Sequence, residues 1–212
     1  VCDVMPLTGL NRAFVSQGLK VFHQRQNLGL TILADLVGIG EAITTYHLGF
    51  VLGPRINAGG RVGKSDLGSL LLTSLDAVES KDLAMHLNHL NQERQEIEKN
   101  VLEEANKQIE TLDLLKNPVL LVAGEGWHPG VIGIVASRLK ERYNRPACVV
   151  GFEGDHGKGS GRSVSGACLG TTMHLAVHHG FLEKGGGHAM AAGFSINKSQ
   201  YHAFYDFLNN HL

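Results

Sequence analysis

Two glycine-rich runs carry the side chains best suited to chemistry in this chain. Residues 157–163 read Gly-Lys-Gly-Ser-Gly-Arg-Ser and residues 185–193 read Gly-Gly-Gly-His-Ala-Met-Ala-Ala-Gly. Glycine leaves the backbone open to close approach by a ligand, and successive amides in such segments form anion-binding concavities. Arg162 adds a planar fork of donors that fits a phosphate bidentately, Ser160 and Ser163 add hydroxyls, and His188 adds an imidazole. Read from the residues alone, these runs are either phosphate-binding loops or tight hairpin turns with an exposed arginine. A third basic stretch, residues 53–64, reads Gly-Pro-Arg-Ile-Asn-Ala-Gly-Gly-Arg-Val-Gly-Lys. Its composition predicts a loop, with Arg55, Arg61 and Lys64 placed for phosphate-backbone contact or, alternatively, simply solvated. Ile56 and Val62 predict that this loop is pinned to the core.

Other polar residues give weaker signals. Asp3 lies among apolar neighbours, where a carboxylate needs a partner or a metal. The pattern by itself favours an aspartate at a strand end, hydrogen-bonded to backbone. His86 and His89 stand one helical turn apart, but no third ligand is evident. Val177, His178 and His179 lie on a helical pattern and read as surface and packing.

The whole chain sets bounds on these readings. Its 212 residues suit one large or two small domains, and 43% hydrophobic content provides a core. The net charge of −1 advertises neither nucleic acid nor an anionic membrane, so such a partner must be met by local positive clusters. The 3 cysteines, Cys2, Cys148 and Cys168, form no CxxC pair, which argues against a disulfide framework or a thiolate zinc site and for a reducing compartment. No apolar run approaches the roughly 20 residues of a membrane span. A start at Val1, without methionine or signal peptide, predicts a piece of something longer.

The elements that must position these residues follow from periodicity. A short apolar strand ending at Pro6 precedes a helix through Ala13, Phe14, Leu19 and Phe22. Short helices are expected at 30–36, 44–52 and 66–74, the last capped by Ser65. From Asp76 to Leu112 neither Gly nor Pro interrupts a helical pattern, with apolar residues from Leu83 and Leu87 to Ile109 and Leu112. Such a helix is on the order of 50 Å long and reads as a strut between domains. Beyond Asn117 the chain alternates: strands at 119–123, 146–152, 158–163 and 190–196, and helices at 131–143, 170–181 and 200–212. This is an α/β layer pattern, with the glycine runs expected as loops at strand–helix junctions.

The motifs at 53–61, 126–136 (Gly-Trp-His-Pro-Gly-Val-Ile-Gly-Ile-Val-Ala), 160–163 and 185–193, in that order, resemble the RecJ family of DHH phosphoesterases. The resemblance covers essentially the whole chain. It implies an α/β fold made of the helical tail of a DHH domain (1–76), a long connecting helix (77–112) and a mixed α/β DHH-associated domain (113–212). It further implies a single-stranded-DNA-specific 5′→3′ exonuclease of DNA repair and recombination, using two divalent cations, Mn²⁺ or Mg²⁺, with DNA threading a cleft. By motif, Asp3 matches the last metal-binding, catalytic aspartate, reversing the reading from pattern alone. Arg55, Asn57 and Arg61 match a DNA-contacting loop. Ser160 and Arg162 match a terminal-phosphate site, and His188 a cleft histidine. His128, Gly186 and Gly187 are expected to be nucleic-acid-binding too.

The family's Asp-x-Asp and Asp-His-His motifs are absent from these 212 residues. The chain alone is therefore expected to be inactive, supplying the DNA-gripping half. A helicase or single-strand-binding protein is an expected partner, a membrane is not, and a cytoplasmic monomer is expected. Two rival readings stay open: a DHH-family phosphodiesterase of oligoribonucleotides or cyclic dinucleotides, and a non-catalytic nucleic-acid-binding module.

Overall fold

The computed structural model describes residues 1–2, 5–40 and 42–212. Its contacts divide the chain into two units, Val1–Gln95 and Glu96–Leu212. The strand expected before Pro6 includes residues outside those described. Cys2, Met5, Pro6 and Leu7 belong to no regular element.

The first unit is helical. Helices α1 (Gly9–His23), α2 (Leu28–Leu36), α3 (Gly53–Val62) and α4 (Leu67–Thr73) precede the long α5 (Ala77–Thr111). Leu33, Leu52, Leu71, Ala84 and Leu87 form its buried centre. Asp66, not Ser65, stands at the N-cap of α4, and no side chain caps that helix.

The largest departure from expectation is residues 53–64. As far as Val62 they are not a loop: α3 continues directly from a π-helical stretch, His47–Leu52. Pro54 suits the first turn of a helix, where its missing N–H is not required. The glycines reflect close packing and not chain flexibility. A Cβ on Gly59 would lie 2.6 Å from the Lys64 carbonyl oxygen, and one on Gly63 would lie 2.8 Å from Leu90 Cδ1.

Helix α5 starts where Asp76 Oδ1 accepts the amides of Val78 (2.8 Å) and Glu79 (2.9 Å), an aspartate N-cap. Beyond it, Asp113 takes a left-handed conformation, φ 50°. The C-terminal part of α5 belongs to the second unit, where Val101, Ala105 and Ile109 are buried.

The second unit is a five-stranded sheet in the order β1-β2-β3-β5-β4. The strands are β1 (Leu120–Glu125), β2 (Ala147–Glu153), β3 (His156–Arg162), β4 (Lys184–His188) and β5 (Ala191–Asn197). Only β1 and β2 pair in parallel; the other pairs are antiparallel. Helix α6 (Pro129–Tyr143) covers β2 and β3 on one face. On the other, α7 (Leu169–His178) and α8 (Tyr201–His211) enclose Cys148, Val150, Phe152, Met173, Phe194, Ile196 and Phe204. The edge of β1 is occupied by α5: the Gln108 amide donates to the Ala123 carbonyl (2.7 Å) and its oxygen accepts the Ala123 N–H (3.2 Å). A side-chain amide here satisfies both backbone groups of one edge residue, as a neighbouring strand would.

The first glycine run lies in a strand, as expected for 158–163, and the second is a hairpin of two strands, not a loop at a strand–helix junction. Residues 184–188 form β4, which the apolar pattern did not mark as a strand. In β3, Gly157, Gly159 and Gly161 alternate with Lys158, Ser160 and Arg162, and the glycines face inward. A Cβ on Gly157 would lie 2.6 Å from Phe152 Cε1, and one on Gly161 would lie 3.0 Å from Cys148 Sγ; on Gly159 it would collide with the Phe194 ring. The motif turn 126–130 is likewise built by packing. Trp127 is buried and its Nε1 donates to Glu104 Oε2 (2.8 Å), while Gly151 leaves room for the Trp127 backbone.

A methyl group at position 151 would collide with the Trp127 carbonyl, and backbone yields less readily than a side chain. Gly151→Ala is expected to lower stability by about 2–4 kcal/mol, whereas Gly133→Ala, whose nearest neighbours are side-chain ends, should cost less. Urea denaturation of the two variants checks the order.

Candidate nucleic-acid interface

Strand alternation places Lys158, Ser160 and Arg162 on the face of β3 opposite its glycines. Arg162 Nη1 donates to Ser160 Oγ (3.1 Å) and to the Gly161 carbonyl (2.8 Å). Both side chains are partly buried beneath α6, where Gly133 makes the space: a Cβ there would lie 3.0 Å from Ser160 Oγ and 3.2 Å from Arg162 Nη2. A hydroxyl and a guanidinium thus stand side by side at the edge of a helix, a donor set suited to a phosphate. Ser163 differs from its sequence neighbours. It is 1% exposed and its hydroxyl donates to the Ala167 carbonyl (2.7 Å), so it closes a turn.

Register extends this face across the sheet. Ser160 pairs with Gly193, and Gly193 with Gly186; Arg162 pairs with Ala191, and Ala191 with His188. His188 therefore stands in the row of Arg162, two strands away, roughly 10 Å by strand spacing, and is exposed. Gly186 meets only His174 Cε1 at 3.9 Å from a built Cβ, so packing does not require a glycine there. Gly187 has a structural reason of its own: its φ is 156°, and a Cβ would strike the Ala191 backbone across the hairpin. His128 is the N-cap of α6, its Nδ1 accepting the Gly130 amide (3.0 Å).

The residues of α3 lie in the other unit and separate by helix face. Arg55 is partly buried, Nε donating to Asn88 Oδ1 (2.9 Å) and Nη1 to the Val51 carbonyl (2.7 Å). Burial, and secondarily the nearby Arg94 guanidinium, hold its pKa below the ordinary arginine value. Asn57 and Arg61, four positions apart, are both exposed and share one face. Arg55 thus has structural work that the motif did not disclose.

Asp3 lies outside the described residues. Among those described, no group of three or more His, Cys, Asp or Glu side chains converges as metal ligands, and His86 and His89 gain no third partner. The described residues do not fit a two-cation centre. Nor, among them, is any helix long and apolar enough to cross a membrane.

Sequence reasoning named Ser160 and Arg162 but overlooked the residues beside them. Lys158, Lys184, Gly193 and Ser195 line a groove of about 570 Å³ together with Ser160, Pro129 and Ile132. The alternation through 157–162 is a strand period that puts Lys158 on the face of Ser160 and Arg162, whereas Lys184, Gly193 and Ser195 join it only through strand pairing.

Residues 116–212, which hold the mixed sheet and this donor pair, match the DHHA1 domain family. Over 96% of its length the chain is 39% identical to the single-stranded-DNA-specific exonuclease RecJ of Dickeya dadantii, covering 37% of that protein. It is 40% identical to the RecJ of Bacillus subtilis, over 92% of this chain and 25% of that one. The crystal structure of Thermus thermophilus RecJ in complex with Mg²⁺ superposes with a TM-score of 0.86 at 32% identity, covering 99% of this chain and 32% of that one. Residues 116–212 belong to the DHHA1 domain family, and the chain, similar to RecJ proteins along nearly its whole length, spans well under half the length of these relatives.

The two arginines of α3 are expected to respond differently to truncation. Arg55→Ala should destabilise the chain by about 1–3 kcal/mol, since it strands the Asn88 and Val51 oxygens. Arg61→Ala, on the exposed face of α3, should lower the unfolding midpoint less than Arg55→Ala and, if that face grips a strand, reduce single-strand affinity with a shallower salt dependence. Denaturation and fluorescence anisotropy at two salt concentrations separate the two effects.

Proposed function

We propose that this chain is the DNA-gripping part of a RecJ-type exonuclease that degrades single-stranded DNA 5′→3′ in repair and recombination. The observation that carries the reading is the Ser160–Arg162 pair under Gly133. In this reading the guanidinium takes two oxygens of a 5′-terminal phosphate and the Ser160 hydroxyl takes a third. Neutralising and orienting the strand end there fixes which bond reaches the hydrolytic centre, a contribution of positioning. Asn57, Arg61 and His188 contact the strand without reading bases, as backbone-tracking donors do.

The divalent cations, Mg²⁺ or Mn²⁺, would be held mainly by residues outside this chain, with Asp3 as one ligand. Bound there, they would activate water and stabilise the leaving oxygen. The division into a DHH tail (1–76), a connecting helix (77–112) and a DHH-associated domain (113–212) belongs to the same reading. So do a cytoplasmic location, a monomeric state, and a helicase or single-strand-binding protein as partner.

Two outcomes are expected. Arg162→Ala should weaken binding of a 5′-phosphorylated 20-mer by about ten-fold or more, because a charge-assisted contact contributes about 1.5–3 kcal/mol, with little change for the 5′-hydroxyl strand. Anisotropy at one fixed salt concentration measures both, and equal losses for the two ends would remove the terminal-phosphate assignment. The chain by itself should release no mononucleotides from labelled single strands in Mn²⁺. Metal-dependent turnover would mean that the hydrolytic centre lies within these residues.

A further inference from the structure

The groove beside Ser160 holds two cations that the proposed function leaves unused. Lys158 pairs with Ser195 in the sheet, and Ser195 pairs with Lys184. The two lysines therefore flank one hydroxyl residue in a single row across three strands, one same-face step from the row of Ser160. By strand geometry that step is roughly 7 Å, and the lysines stand roughly 10 Å apart, each on a flexible four-carbon stem. Both are exposed and both line the groove.

The surroundings select for an anion. Among the described residues no carboxylate lines the groove, and neither lysine takes part in an ion pair. The neighbouring acids are engaged elsewhere: Glu183 lies 3.6 Å from His156 Nδ1, and Glu125 lies 3.2 Å from Lys198 Nζ. In the row of Ser160 the floor of the groove is Gly193. A Cβ there would meet nothing closer than the Gly159 carbonyl at 4.0 Å, and its φ is not left-handed. Neither packing nor backbone conformation demands glycine at that position. What its hydrogen does is keep the groove floor low beside Ser160, where a side chain would occupy ligand space.

We propose that Lys158, Lys184 and Ser195 form a second phosphate subsite, which takes the phosphodiester adjacent to the phosphate held at Ser160 and Arg162. The proposal rests on the reading of that pair as the terminal-phosphate site. Two lysines reaching from opposite sides suit a diester, whose single charge is shared by two non-bridging oxygens. The ammonium groups act as mobile point charges here, where Arg162 is a fixed fork. Occupation of both subsites aligns the first internucleotide linkage along β3 and β5.

Calorimetric titration of the chain with thymidine 5′-monophosphate and with 5′-phosphorylated dithymidine compares one phosphate with two. The two-phosphate ligand should bind about ten-fold tighter, the gain from one further charge-assisted contact. Lys158→Gln with Lys184→Gln should abolish that difference while leaving monophosphate affinity unchanged; Lys158→Arg with Lys184→Arg, which keeps the charge, should retain most of it. Gly193→Ala should weaken the dinucleotide with the unfolding midpoint held or raised, since alanine in a strand is no less stable than glycine. Equal affinity of the unaltered chain for the two ligands would overturn the subsite, as would a difference that survives the double glutamine variant. Loss of both ligands in that variant would overturn it too, because the lysines would then hold the terminal phosphate itself. Arg162→Ala separates the two readings. If it leaves monophosphate binding intact, the terminal-phosphate assignment fails, while a lysine-dependent difference between the ligands still supports the second anion site.

Discussion

The site in the second unit depends on aromatic and sulfur side chains occupying the volume where β3 would otherwise place its own side chains. Phe152, Phe194 and Cys148 fill the space beneath Gly157, Gly159 and Gly161. A side chain at Gly157 or Gly159 would collide with those rings, and one at Gly161 would press on the thiol. With the glycines held inward, the period of two leaves Lys158, Ser160 and Arg162 only the opposite face. A one-residue slip would bury a guanidinium and two polar groups against α7 and α8, at a cost of several kcal/mol. The hydrophobic core therefore sets the direction in which the polar chemistry points.

Glycine has three distinct uses in this molecule. Gly59, Gly63 and Gly133 give neighbouring groups room against a helix. Gly157, Gly159 and Gly161 admit core rings and a thiol beneath a strand. Gly187 permits a hairpin geometry that a side chain would strain. Gly193 and Gly186 serve none of these, and they lie in the row of Ser160. Residue type alone does not separate these uses, because each is defined by what stands opposite the missing Cβ.

Helix face decides the fate of neighbouring arginines in the same way. Arg55 and Arg61 belong to one short motif with an identical chemical repertoire. Six residues of α3 rotate them by about 600° at 100° per residue, and so onto different sides. One is drawn in toward Val51 and Asn88 and the other is left exposed. Trp127 and His128 show a related division within one turn: the indole anchors the turn to α5 through Glu104, and the imidazole caps α6.

Much was legible in the order of the residues. The long uninterrupted helix, the alternation of β and α after Asn117, and the family motifs with their RecJ resemblance all follow from local pattern, because periodicity and motif spacing are properties of the chain itself. Ser160 and Arg162 could be named for the same reason. The helical state of 53–62 and the strand state of 184–188 could not, since glycine-rich composition signals flexibility when the partner that fills the glycine's empty side is unknown. The same limit hid Lys184 and Ser195, which come beside Lys158 only through the pairing of β3 with β5 and β5 with β4. Which residues could bind an anion was thus written in the sequence. Which of them face one groove, and which are held inside by packing, was decided by tertiary contact, because only a folded sheet gives a glycine its neighbour and a strand its second face.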